Sequence, residues 1–176
     1  MTILEEHNAK ASFFLLGKNV VDREALVREI ADKGHEICSH GYDHLNYWKV
    51  SPLKALSDMK RGWEAIDAAL GWKRKTYPFR PPNGKLNIVC LLYLLFRSVP
   101  IVYWLADSGD TWRKRPDDGW VADIVRKTGG TVSLAHDFDR RNIDTEKYIL
   151  NSTRSALVTA KECGLNVLTV SELVKN

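Results

Sequence analysis

The feature that most constrains this chain is the alternation of short apolar runs with segments of helical periodicity. Residues 11–17 read Ala-Ser-Phe-Phe-Leu-Leu-Gly, a continuous apolar run typical of a strand buried on both faces. Apolar residues then recur at helical spacing from Val20 to Ala31, and Gly34 is placed to end that helix. Residues 35–39 form the next apolar run. A strand, a helix and a second strand in this order predict parallel pairing with the helix outside the sheet.

The same alternation continues along the chain. Helices are predicted at residues 52–70, 85–97, 118–127 and 145–163, with a short capped helix from Ser171, and strands at 77–79, 101–105, 131–135 and 166–169. The segment 85–97 is apolar nearly all round, so we expect it to be packed on several sides. The prediction is an α/β fold with about six strands, short of the eight of a full (β/α) barrel. A length of 176 residues with 44% hydrophobic residues suits one domain over residues 1–176.

Polar residues stand at the ends of these apolar runs. His40 and His44 lie four residues apart, so both imidazoles can point at one spot, and neutral imidazole suits a cation such as Zn²⁺. Such a pair alone is more often a surface or packing feature. Arg80, Asp110 and His136 also follow apolar runs, however, and ligands gather at the C-terminal ends of parallel strands. The sequence therefore predicts a site built from several strand ends.

Composition excludes several classes of function. The formal charge of +4 is mild and the basic clusters at 73–75 and 113–115 are short, so nucleic-acid binding is a minor hypothesis. The apolar run from Ile88 to Phe96 is too short to span a bilayer. The three cysteines cannot all pair and sit in apolar contexts, which predicts buried free thiols. The first residues do not look like a signal peptide, so the expected location is cytoplasmic or undetermined.

Four motifs carry a resemblance to a known family. They are His-Gly-Tyr-Asp-His at 40–44, Phe-Arg-Pro-Pro-Asn-Gly at 79–84, Asp-Ser-Gly-Asp-Thr-Trp at 107–112 and Ser-Leu-Ala-His at 133–136. In order and spacing the chain resembles the NodB-type polysaccharide deacetylases, carbohydrate esterase family four, from Lys10 to the C-terminus. The resemblance implies an irregular (β/α) barrel that removes acetyl groups from an acetylated polysaccharide or N-acetylated glycan. It also implies a divalent metal, Zn²⁺ first, with Co²⁺ or another divalent ion as alternatives.

The resemblance also implies roles for individual residues. His40 and His44 match the metal ligands of the family, and Arg80 matches the arginine that orients its catalytic base. Asn83 stands where the family usually has Tyr, whose backbone N–H helps to hold the oxyanion. Trp112 and Leu134 match residues that wall the acetyl pocket. His136 matches the general acid and Asp110 its orienting carboxylate; because Thr111 separates Asp110 from Trp112, Asp107 remains an alternative.

These roles agree with the chemistry of amide or ester hydrolysis. The reaction needs an activated water, a stabilised oxyanion and a proton for the leaving group. A metal with an open position serves the first need, and backbone N–H groups of a Pro-Gly loop can serve the second. A histidine held by a carboxylate can protonate a departing amine near neutral pH.

One departure from the family stands out. The family opens on a strand that ends in a Thr-Phe-Asp-Asp-Gly type of motif, in which one aspartate is the catalytic base and the other the third metal ligand. No Asp precedes Asp22 in this chain, and residues 3–10 look like the end of the first helix. We therefore expect a truncated domain, missing its first strand, with impaired deacetylase activity. A non-catalytic relative that binds glycan or metal is the alternative, and a basic protein with a polyanionic partner is a third hypothesis.

Overall fold

The computed structural model describes residues 1–72, 77–136 and 143–175. The chain forms two compact units, a larger one from Lys10–Tyr103 with Thr169–Asn176 and a smaller one from Met1–Ala9 with Trp104–Leu168. The prediction of one domain over residues 1–176 stays a prediction, and each unit is described by itself. The basic cluster predicted at 73–75 lies outside the described residues.

The larger unit contains two strands and five α-helices among its described residues. In chain order the elements of the whole chain are α1 (Thr2–Glu6), β1 (Ser12–Leu15), α2 (Gly17–Val20), α3 (Glu24–Asp32), β2 (Glu36–Ser39), α4 (Pro52–Leu70), a 3₁₀ turn (Pro82–Gly84), α5 (Ile88–Phe96), β3 (Ala106–Asp107), α6 (Trp120–Thr128), β4 (Ser133–Leu134), α7 (Ile143–Glu162) and α8 (Val170–Leu173). The larger unit holds α2 to α5, α8, β1 and β2.

Parallel pairing organises the sheet of the larger unit. β1 lies parallel to β2, with Phe13 opposite Ile37. Parallel bridges from Ser39 to Phe79 and from Phe79 to Ile101 extend this ladder. The predicted first two strands are therefore present, whereas the short strand predicted at 77–79 is reduced to the single bridge residue Phe79. The strand predicted at 101–105 is wrong beyond Ile101, because only that residue joins the ladder.

Helix α4 follows its sequence signals closely. The Ser51 hydroxyl accepts the Lys54 N–H at 3.3 Å, Pro52 occupies the first turn, and Gly71 ends the helix in the left-handed conformation. The buried face of α4 packs into a core cluster. That cluster contains Tyr47, Ala55, Met59, Phe79, Cys90, Leu94 and Val99.

Helix α5 departs from its prediction. It begins at Ile88, because the Asn87 side chain accepts the Cys90 N–H at 2.9 Å and caps the helix. Its buried residues are Cys90 and Leu94, while Phe96 is 87% exposed. The expectation that this helix is packed on several sides is wrong within this unit, because one stripe alone meets the core.

The smaller unit pairs β3 with β4 and also contains α1, α6 and α7. The Ser108 N–H donates to the Leu134 carbonyl at 2.9 Å, so the pairing continues through residues 106–108, beyond the strand predicted at 101–105. The strand predicted at 166–169 is wrong, since those residues form no ladder; Thr169 instead caps α8, and Leu168 is 40% exposed. In neither unit do the described residues form a closed sheet. No helix in the described part of the chain is long and apolar enough to cross a bilayer.

Candidate functional site

The histidine loop, residues 40–44, follows β2 directly. The His40 N–H donates to the Leu15 carbonyl at 2.9 Å, which fixes where the loop leaves the sheet. The rings of His40 and His44 lie side by side, with centroids 5.0 Å apart and planes at 68°. The two rings are therefore neighbours, and the prediction that both imidazoles point at one ligand stays a prediction.

A backbone contact sets the tautomer of His40. Its Nδ1 lies 2.6 Å from the carbonyl oxygen of Arg80. Because a carbonyl only accepts, the neutral ring carries its proton on Nδ1, and Nε2 holds the lone pair. This is the arrangement by which metal-binding histidines are usually oriented. The donor chemistry of His40 and His44 thus fits a divalent cation.

Asp58 of α4 contacts the other side of the histidine loop. Its two carboxylate oxygens accept the Tyr42 N–H at 3.1 Å and the Asp43 N–H at 2.9 Å. The Tyr47 hydroxyl donates to the same carboxylate at 2.9 Å. Burial, and then the Asp58 charge, raise the pKa of Tyr47 well above its ordinary value, so this hydroxyl stays a neutral donor. Sequence reasoning missed both residues.

The side chains of Asp58 and Tyr47 leave no space for a side chain at Gly41. A Cβ there would lie 2.6 Å from Asp58 Oδ2 and 2.8 Å from the Tyr47 hydroxyl, and the φ of Gly41 is +79°. A Cβ at Gly62 of α4 would lie 2.6 Å from the Gly41 carbonyl. Glycine is required where backbones approach this closely and where φ is left-handed.

Arg80 is buried beside the histidine loop. It is 7% exposed, and its guanidinium carbon lies 4.0 Å from the centroid of the Phe14 ring. Burial lowers the pKa of Arg80 to about 10, so the side chain is still a cation at neutral pH. The predicted oxyanion residue, Asn83, lies in the 3₁₀ turn with φ of 56°, a conformation that Asn tolerates better than most residues. Its side chain is exposed.

In the smaller unit, buried Asp110 and partly buried His136 form an acid–imidazole pair. Asp110 is 1% exposed. Its Oδ1 lies 2.9 Å from His136 Nδ1, and its Oδ2 accepts the His136 backbone N–H at 2.9 Å. The carboxylate therefore fixes the ring and the main chain of His136 together. With Nδ1 donating, Nε2 is the nitrogen available for proton exchange in the neutral ring.

The hydrogen bonds distinguish Asp107 from Asp110, the two candidate partners of His136. Asp107 Oδ1 accepts the Gly109 N–H at 2.8 Å, and the Asp107 carbonyl accepts the Trp120 indole N–H at 3.2 Å. Asp107 thus shapes its own turn, whereas Asp110 contacts the histidine. The contacts therefore favour Asp110 over Asp107 as the carboxylate that orients His136.

The predicted pocket residues Trp112 and Leu134 lie in the smaller unit, near this pair in sequence. Leu134 is buried at 9% exposure and pairs with Asp107 in the β3–β4 register. Trp112 is 46% exposed and follows the turn through its N–H bond to the Gly109 carbonyl at 2.9 Å. An exposed indole and a buried leucine beside the acid–imidazole pair are compatible with a small apolar pocket. That role stays a prediction.

Tyr148 of α7 is a further residue that sequence reasoning missed. Its hydroxyl donates to the Ser108 carbonyl at 2.5 Å, which ties α7 to the loop that carries Asp110. Burial and the nearby Asp110 charge raise the pKa of Tyr148. Arg115 approaches the same ring, 5.7 Å from its centroid.

The predicted site residues therefore form two groups. His40, His44, Arg80 and Asn83 belong to the larger unit, and Asp110, His136, Trp112 and Leu134 to the smaller. The expectation that both groups line one cleft stays a prediction. Across the described residues, no three His, Cys, Asp or Glu side chains are grouped so as to hold a metal ion.

Comparison with known families identifies the chain. The family model described as "Polysaccharide deacetylase" matches residues 1–94, more than half of the sequence. The chain belongs to the polysaccharide deacetylase family. The resemblance drawn from the four motifs is thereby confirmed.

The chain is similar to curated deacetylases and to solved structures of the same fold. The peptidoglycan-N-acetylglucosamine deacetylase PgdA of Listeria monocytogenes is 30% identical over 176 residues, covering 97% of this chain and 34% of that protein. A solved peptidoglycan N-acetylglucosamine deacetylase superposes with a TM-score of 0.83 at 26% identity, covering 97% of this chain and 78% of its own. A family 4 pseudoenzyme from Bacillus anthracis superposes with a TM-score of 0.80 at 23% identity. The match covers 98% of this chain and 58% of that one.

These similarities have different weight. The pseudoenzyme shares the fold, and at its level of identity nothing more is drawn from it. This chain spans about a third of the length of the Listeria relative. Together the neighbours place the chain in the fold class of the family 4 carbohydrate esterases.

Proposed function

We propose that this chain is the deacetylase domain of a protein that removes acetyl groups from peptidoglycan or a chitin-like polysaccharide. The observation that carries the proposal is the pairing of buried Asp110 with both the ring and the backbone of His136. The names of the relatives, deacetylases of peptidoglycan and of chitin, support the substrate class. The proposed fold is the irregular (β/α) barrel of the family, without its first strand within residues 1–176.

In this proposal His136 is the general acid. Asp110 holds the ring with its proton on Nδ1, so Nε2 can carry the proton that the leaving amine or alcohol needs. The buried carboxylate also stabilises the imidazolium form while that proton is carried. Trp112 and Leu134 would line the space for the acetyl methyl group.

His40 and His44 would hold the divalent cation, Zn²⁺ or a related ion. When bound, the cation supplies Lewis acidity for the scissile carbonyl and for the attacking water. The contribution of the chain is to orient His40 through the Arg80 carbonyl and to keep both rings adjacent. The backbone N–H groups of the turn around Asn83 would offset the negative charge that develops on the substrate oxygen, and Arg80 would orient the catalytic base.

Residues 1–176 lack two parts of this machinery. No Asp precedes Asp22, so the 176-residue polypeptide has no counterpart of the Asp-Asp motif that supplies the base and the third metal ligand. General-base assistance contributes roughly 10²–10⁴ in rate. We therefore propose that the polypeptide of residues 1–176, tested as such, has impaired metal affinity and negligible turnover.

A second candidate is a non-catalytic relative that binds glycan or metal. It is favoured by one observation, the lack of a group of three metal-ligating side chains among the described residues. Under this alternative the acid–imidazole pair is a structural relic, and a complete first motif would not restore turnover.

One experiment separates the candidates. Acetate release from N-acetylglucosamine oligomers and Zn²⁺ affinity are measured for residues 1–176 and for a version extended by a relative's first strand with its Asp-Asp motif. The expected result is that the extension raises both quantities together, and that His40→Ala in the extended protein removes both. Acetate release by residues 1–176 at ordinary hydrolase rates, about 1–10³ s⁻¹, and abolished by His40→Ala would overturn the proposed impairment. An extended protein without turnover would favour the non-catalytic candidate.

A further inference from the structure

Asp58 is an acid in the middle of an apolar helix face. It lies on α4 between Ala55 and Met59, both fully buried, and is itself 2% exposed. A buried carboxylate destabilises a fold unless hydrogen bonds replace the water it loses. At Asp58 three hydrogen bonds do so, and two of them come from the backbone of the histidine loop.

The two backbone hydrogen bonds to Asp58 come from residues that lie between His40 and His44 in the sequence. They engage the N–H groups of Tyr42 and Asp43, the residues directly before His44. The loop carbonyls are held from another helix, since the N–H groups of α2 residues Gly17 and Lys18 donate to the Gly41 and Tyr42 carbonyls at 2.9 Å and 3.3 Å. The backbone between the histidines is thus fixed from both sides.

We propose that Asp58 is the positioning residue of the histidine loop, holding the backbone so that the rings of His40 and His44 face one ligand. The proposal rests on the function proposed above insofar as that ligand is a metal ion. Asp58 acts through the two amides and not as a ligand itself. Tyr47 completes the arrangement by binding the same carboxylate, and Gly41 allows its close approach.

The chain offers a matched control on the same helix. Asp67 of α4 also accepts a tyrosine hydroxyl, that of Tyr77, at 2.6 Å. Asp58→Asn and Asp67→Asn both replace a carboxylate that binds a tyrosine, yet only the first puts an NH₂ group in place of one of the two oxygens that accept the loop amides. A general structural effect of losing an Asp–Tyr pair therefore appears in both variants, and a positioning effect in one.

Two readouts test the proposal in residues 1–176. The first is amide hydrogen exchange at Tyr42 and Asp43 without metal. The second is a Zn²⁺ titration followed by the NMR signals of the His40 and His44 rings. We expect Asp58→Asn to speed exchange at least tenfold at the loop amide that its NH₂ group faces and to weaken Zn²⁺ binding by about 10-fold to 100-fold, the range for residues that orient metal ligands. Asp67→Asn should change neither.

The outcomes distinguish this proposal from the function on which it rests. If wild-type rings respond to Zn²⁺ neither in residues 1–176 nor in the extended protein of the preceding section, the proposed metal role fails, and hydrogen exchange alone decides whether Asp58 positions the loop. Unchanged exchange in folded Asp58→Asn overturns the positioning proposal, as does unchanged Zn²⁺ affinity where the wild type binds. Should Asp58→Asn fail to fold, amide exchange at Tyr42 and Asp43 is compared between Tyr47→Phe and its control, Tyr77→Phe. Faster exchange of these amides in Tyr47→Phe alone supports the proposal, and equal exchange in the two variants overturns it.

Discussion

Asp110 Oδ2 accepts the backbone N–H of His136 at the same distance, 2.9 Å, at which Asp110 Oδ1 meets the ring Nδ1. One buried carboxylate thus determines both where the residue stands and which ring nitrogen carries its proton. A backbone bond alone would leave the ring free to turn about its side-chain torsions. A hydrogen bond to the ring alone would leave the backbone of His136 free to shift.

The first prediction concerns this pair. Asp110→Asn replaces an oxygen acceptor by an amide that can donate, so we expect His136 to lose its preference for the Nδ1-protonated tautomer, as measured by ¹⁵N NMR of the ring. In the extended protein, acetate release should fall by roughly 10²–10⁴, the range for a general acid. Asp107→Asn is the control, because Asp107 binds the Gly109 N–H instead. Equal loss in both variants would contradict the assignment.

The second prediction compares two glycines with similar φ. Gly41→Ala and Gly71→Ala each place a side chain at φ near +75°, with Gly41 at +79° and Gly71 at +72°, and left-handed strain should lower the free energy of unfolding by about 1–2 kcal/mol in both. Gly41→Ala also brings its Cβ against Asp58 and Tyr47, which should add about 1–3 kcal/mol, whereas no atom of the described residues lies within 4 Å of a Cβ at Gly71. Urea unfolding measures both. Equal losses would mean that the loop at Gly41 can shift.

The third prediction concerns thiol accessibility. Cys38 and Cys90 are fully buried and Cys163 is exposed, so the prediction of three buried thiols is wrong for Cys163. Its apolar sequence context did not show that it follows the last turn of α7, where the side chain reaches solvent. A thiol reagent such as DTNB should label one cysteine in the native protein, and Cys163→Ser should abolish that reaction. Burial also raises the pKa of Cys90 to about 11, which disfavours the reactive thiolate. Native-state labelling of Cys38 or Cys90 would contradict this.

The fourth prediction concerns acid stability. Glu172 accepts hydrogen bonds from the Thr169 N–H at 2.7 Å and from its hydroxyl at 2.8 Å, and these bonds lower the pKa of Glu172 below its ordinary value of 4.5. A carboxylate with a lowered folded-state pKa stabilises the fold above the unfolded-state value and loses that effect as the pH falls through the folded-state value. The unfolding midpoint of wild type should therefore exceed that of Glu172→Gln above pH 4.5, and the difference should shrink below it. A difference independent of pH would assign the effect to packing.

Sequence periodicity predicted the helices better than the strands. Helix α4 runs from Pro52 to Leu70 as expected, because its cap, its apolar stripe and its terminal glycine are all local signals. A strand exists only where another backbone pairs with it. The apolar residues Val167 and Leu168 suit a strand by composition, but no described backbone forms a ladder with them.

In the candidate site, too, the sequence predicted the residues with local signals and missed those that depend on distant contacts. His40, His44 and His136 stand out in the sequence because of their chemistry and their place after apolar runs. The choice between Asp107 and Asp110 depended on which carboxylate points at His136, and the local sequence does not contain that information. Asp58 had a usable signal, an acid inside the apolar stripe of α4, although the partners that explain it are 15 and 16 positions away.

The parallel register of β1 and β2 has a consequence for how the chain folds. Phe13 and Ile37 are paired although 24 residues separate them, the difference of their numbers, so the pairing must close a loop that contains α3. Loop closure costs entropy before any strand contact forms, but a helix formed early shortens the span to be closed. Substitutions that weaken α3 at its solvent-facing positions, such as Glu29→Gly, should therefore slow folding more than they speed unfolding.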